Sequence, residues 1–80
     1  MDTRMAVAQR LRELIGQKGQ TPSEAATSAG VPASTVYSIL DGKSKNPGIV
    51  TLKMLCDGLG VSLTEFFDTE LFRALEQEIR

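Results

Sequence analysis

An all-α fold of five short helices followed by a sixth, amphipathic one is predicted by three features of this chain. Apolar residues recur at three- and four-residue intervals, glycines fall where those runs stop, and two segments open on paired capping residues. No run has the alternation of a strand. Residues 3–18 place Val7, Ala8, Leu11, Leu14 and Ile15 on one helical face, and Gly19 ends the run. Thr21 with Glu24 three residues on forms a capping box, and Pro22 takes the first helical position, where its missing N–H costs nothing. The second helix reaches about Ala29. Gly30 and Val31 turn the chain, Pro32 starts a third helix that runs to Leu40, and Asp41 with Gly42 closes it.

The loop at 43–48 is polar and rich in breakers, and it carries Lys43 and Lys45. A fourth helix is expected with Ile49, Leu52, Leu55, Cys56 and Leu59 on one face, stopping at Gly60. Ser62 with Glu65 is a second capping box and opens a fifth helix through Leu63, Phe66 and Phe67. Beyond it Leu71, Phe72, Leu75 and Ile79 share one side of a predicted sixth helix, with Glu70, Arg73, Glu76, Glu78 and Arg80 on its polar side.

Between the second and third helices the spacing is that of a helix-turn-helix. Ala26 lies where the two helices cross, and only a small side chain lets their backbones approach there. Gly30 ends the first helix by accepting positive φ, which a Cβ would strain. Val36 and Ile39, three apart, point back toward Ala25, Ala29 and Val31 and close a small core. The opposite face of the third helix is left free, and in this motif that face enters the major groove of DNA.

Composition narrows the alternatives. Eighty residues make one domain with a limited core and little room for a ligand-binding unit or a large enzyme pocket. A hydrophobic fraction of 41% and a charged fraction of 24% belong to a globular chain. Apolar runs are only a few residues long, so neither a signal peptide nor a membrane span is expected, and the expected compartment is cytoplasmic. The single cysteine, Cys56, falls on an apolar helix face and reads as a small buried hydrophobe. Histidine is absent, which removes the commonest general base and metal ligand. No catalytic residue, metal site, cofactor or small-molecule substrate is expected.

The formal net charge of −1 is unusual for a nucleic-acid binder, but its distribution is uneven. Residues 1–64 hold seven Lys or Arg against five Asp or Glu, a balance of +2, whereas 65–80 hold two against five, a balance of −3. An acidic tail turned away from DNA would leave a modestly basic face.

Residues 34–43 (STVYSILDGK) and 59–67 (LGVSLTEFF) together resemble signatures of the Cro and C1-type helix-turn-helix family of phage repressors and bacterial XRE-like regulators. The resemblance covers about residues 7–67. It implies a five-helix, phage-repressor-like DNA-binding domain over 1–67, with 68–80 outside the minimal unit. That extra helix would either close over the chain's own core beside the first helix or pair with its copy in a homodimer.

The same resemblance implies that Ala33, Ser34 and Ser38 meet base edges of double-stranded DNA, with Thr35 and Tyr37 flanking them. Lys43, Lys45 and Asn46 map to the loop that grips the phosphate backbone. A serine hydroxyl both donates and accepts, and an alanine methyl at most touches a thymine methyl, so base discrimination should be weak. Where the family commonly has a phosphate-binding Gln, this chain has Pro22. Amides near Ser23 would still face a phosphate, provided that Glu24 is held in its capping box. Some phage repressors pair an Arg of the first helix with a Glu at the end of the third. The matching positions here are Ile15 and Leu40, and these are expected to touch. The leading expectation is a sequence-specific, dimeric transcriptional regulator. The rival is a protein-interaction module on the same scaffold (antitoxin, anti-repressor or adaptor), suggested by the acidic tail and the short side chains of the third helix.

Overall fold

Local capping sets most helix boundaries in the computed structural model, which describes residues 1–79. The elements are α1 (Thr3–Gln17), α2 (Pro22–Ala29), α3 (Ala33–Leu40), α4 (Ile49–Leu59), α5 (Leu63–Phe67) and α6 (Glu70–Arg73). Asp2 caps α1 by accepting the Met5 amide at 2.9 Å. Both expected capping boxes are formed: Thr21 and Glu24 exchange bonds at the start of α2, and Ser62 and Glu65 do so at the start of α5. Gly30 and Gly60 end α2 and α4 in the left-handed conformation, at φ 71° and 75°. Pro32 precedes α3 as its N-cap instead of starting the helix.

The helices enclose one apolar core. α2 packs on both α3 and α4, α1 packs on α3 and α6, and α4 meets α5. Leu11, Val36, Leu55, Cys56 and Phe66 are fully buried at its centre, and among the described residues no charged or polar side chain is buried with them. Ile15 and Leu40 both belong to this cluster. One turn earlier on α1, Arg12 donates to the Leu40 carbonyl at 3.2 Å, so an arginine of α1 does reach the end of α3, but it meets backbone. Gly58 permits a close approach of α4 to α2. A Cβ built there would lie 3.1 Å from the Ala29 nitrogen and 3.2 Å from the Ser28 carbonyl carbon, so the missing side chain lets α4 rest on the end of α2.

Burial, followed by the neighbouring Asp57 carboxylate, pushes the Cys56 thiol pKa up. The thiol is therefore neutral in the folded chain while the unfolded chain ionises from about pH 8.5 upward. Below that value both states hold the proton and Cys56 contributes no pH dependence. Above it the unfolded state binds fewer protons, so stability falls as pH rises toward the folded value. Thiol-reagent titration of native protein at pH 8 is expected to show no fast reaction, and the denaturation midpoint to drop between pH 8.5 and 10 relative to Cys56→Ala.

Two further expectations fail. Ile49 was expected on the buried face of α4 but is 60% exposed, because it sits at the first position of the helix, before the chain meets the core. The sixth helix is a single turn, and Ile79 is 84% exposed. Phe72 alone among its four apolar residues packs on the core. An isolated helix of about a dozen residues is marginal in water unless its apolar face is buried along its length, and one anchor does not supply that. After Ala74 the chain instead runs back to α1, where Glu78 accepts from both the amide and the hydroxyl of Thr3, at 3.0 and 2.7 Å. Arg80, assigned to the polar side of that helix, lies outside the described residues.

Candidate nucleic-acid interface

The turn between α2 and α3 is closed by backbone alone. Left-handed Gly30 lets the Val31 amide return to the Ala26 carbonyl at 3.1 Å and the Gly30 amide to Thr27 at 3.2 Å. Ala26 is buried at the crossing, as its size requires. Val36, Ile39 and Leu40 turn the other face of α3 into the core, which leaves Ser34 and Tyr37 exposed and Thr35 and Ser38 half-buried on the outside. Ala33 is half-buried and packs against the core, so much of its methyl is already in protein contact.

Two sets of the expected site residues are brought together. At the start of α2, the Ser23 hydroxyl lies 3.4 Å from the Tyr37 hydroxyl of α3. Glu24 is turned back by its capping box, with its carboxylate accepting the Thr21 amide at 2.8 Å. At the other end of α3, the Ser38 carbonyl accepts the amides of both Lys43 and Ser44, at 3.0 and 3.1 Å. Gly42 at φ 72° makes that reversal available. The first residues of the lysine loop are thus folded onto the last turn of α3, and Lys43 is exposed beside it. Lys45 and Asn46 are not drawn to α3 in this way. They line a cleft of about 650 Å³ that the N-terminal turn of α1 and Glu78 also line.

Sequence inspection missed the Arg12 bond that ties α1 to the end of α3, and the Ser38 carbonyl that organises the loop. Neither leaves a local signal: the first joins residues 28 apart, and the second is made by backbone whatever the side chain.

Two helices joined by this tight turn, the second with one face buried and one open, define a helix-turn-helix DNA-binding domain. The chain belongs to the Cro/C1-type helix-turn-helix DNA-binding domain family, whose model matches residues 10–71. Among solved structures it is similar to the crystal structure of the prophage Lp1 protein 11. That likeness has a TM-score of 0.80 at 38% identity and covers 94% of this chain and 100% of that one. No curated protein matches the chain by sequence.

Proposed function

We propose that the chain is a sequence-specific transcriptional regulator that lays α3 in the major groove of operator DNA and acts by binding, without a chemical step. Ser34 and Ser38 face base edges, with Ala33 limited to its exposed methyl surface; Thr35 and Tyr37 flank them. Lys43, Lys45 and Asn46 grip phosphates, and Ser23 meets the backbone at the start of α2. The observation that carries this reading is the pair of hydrogen bonds donated by the Lys43 and Ser44 amides to the Ser38 carbonyl, which folds the exposed Lys43 onto the last turn of α3. Residues 1–67 form the duplex-binding unit and the remainder an appendage. Two such units related by a two-fold axis would match half-sites about 34 Å apart.

Selection of bound sequences from random duplex, followed by titration across salt, tests the reading. Lys43→Ala with Lys45→Ala is expected to weaken binding on the order of tenfold or more at low salt, equally for all sequences, and to flatten the log–log salt dependence by about 2. Ser34→Ala and Ser38→Ala are expected to change which sequence is selected. Unaltered affinity in the lysine variant removes the loop from the interface. The interaction-module reading draws on the absence of Arg, Lys, Gln and Asn from α3 and on the exposure of Val50, at 70%. A stable protein complex with no duplex binding at low salt would favour it.

A further inference from the structure

Phe72 of α6 and Glu78 beyond it fasten the C-terminal segment. Phe72 is held by the rings of Phe67 and Phe66, with centroids 4.8 and 5.9 Å away, and Glu78 is held by Thr3. Thr3 is the first residue of α1, and a first-turn amide has no partner inside its own helix, so the Glu78 carboxylate satisfies a donor that would otherwise face water. The bonds join residues 75 apart in sequence. They also set a negative charge on the wall of the cleft that Lys45 and Asn46 line, in a segment where acidic residues outnumber basic ones.

We propose that residues 74–79 act as an electrostatic strap: clasped on Thr3, Glu78 holds its carboxylate across the cleft from the lysine loop and weakens the grip of Lys45 on a DNA phosphate until the clasp opens. This rests on the duplex-binding reading above. Glu78 and Lys45 line the same cleft, together with Asp2 and Arg4, so the carboxylate offsets part of the lysine's field there, and added salt screens the effect. Both residues of the clasp are exposed, and hydrogen bonds open to solvent break readily. Whatever engages the tail therefore raises duplex affinity without touching α3.

The strap is tested with full-length protein and a fluorescent 24-base-pair mixed-sequence duplex in 50 mM salt. Glu78→Gln keeps an acceptor for Thr3 and removes the charge, and it is expected to tighten binding about twofold. Glu78→Ala removes the clasp as well, so it is expected to gain more and to speed amide exchange at Thr3. In a Lys45→Ala background the gain from Glu78→Gln should disappear. Wild-type affinity in both Glu78 variants, while Lys43→Ala/Lys45→Ala still weakens binding, overturns the strap and leaves the duplex reading intact. An undiminished gain in the Lys45→Ala background overturns it too, because the charge would then act on the whole molecule. If no variant binds duplex even at this salt, both readings fall together.

Discussion

Phe66→Ala is expected to cost about 3–5 kcal/mol, read as a fall in the midpoint of urea unfolding at unchanged slope. Phe66 is the largest fully buried side chain, and its ring meets Phe67 edge-on at 4.9 Å and Phe72 at 5.9 Å. Truncation removes the transfer free energy of the ring and leaves a cavity beside Phe67 and Phe72. Total stability at about 0.05–0.15 kcal/mol per residue is roughly 4–12 kcal/mol for 80 residues, so this one change consumes much of it. Phe72→Ala provides the comparison. Its ring is only half-buried, and its loss is expected to cost less than half as much while freeing the tail from α1. The reverse order of the two costs would contradict the core described above.

Arg10→Ala is expected to cost about 1–3 kcal/mol, and Arg10→Lys to recover little of it. The side chain is 13% exposed and bridges from α1 to the end of α5, with Nε donating to the Phe66 carbonyl at 2.8 Å and Nη2 to the Glu65 carbonyl at 2.9 Å. A helix end leaves its last carbonyls without intrahelical partners, and here a charged fork satisfies two of them. Removing it strands the Phe66 carbonyl in a part-buried position, at about 1–3 kcal/mol, while the exposed Glu65 carbonyl keeps the Asp68 amide at 3.4 Å. Lysine offers one ammonium where two separated acceptors need a planar fork. The 3.6 Å pair with Glu13 is a smaller matter, since Glu13 is 44% exposed and solvent screens it. Full rescue by lysine in a chemical-denaturation series would reduce Arg10 to a surface charge.

The helices and their ends were legible because their causes are local. A capping box is written within four residues, and a left-handed glycine at a helix end is written in one; hence Thr21 with Glu24, Ser62 with Glu65, Gly30 and Gly60 sit where expected. The helix-turn-helix was legible for the same reason, with Ala26 small at the crossing. The α3 face was legible by elimination: once Val36, Ile39 and Leu40 are turned inward, Ser34 and Tyr37 have only the outside left. Ala33 shows where this stops. The family resemblance puts it among the residues expected at base edges, but its neighbours draw it against the core.

By itself the sequence determined the all-helical class, the turn, the open face of α3 and membership of a DNA-binding family, all of which depend on residue type at short range. Tertiary structure decided the rest: that Arg10 and Arg12 serve backbone carbonyls of distant helices, that Gly58 seats α4 on α2, and that residues 74–79 leave helical form to meet Thr3. The physical reason is that a helix end or tail with only one apolar anchor has little intrinsic preference of its own. Its conformation follows from whichever unsatisfied donors and acceptors the remainder of the fold brings within reach.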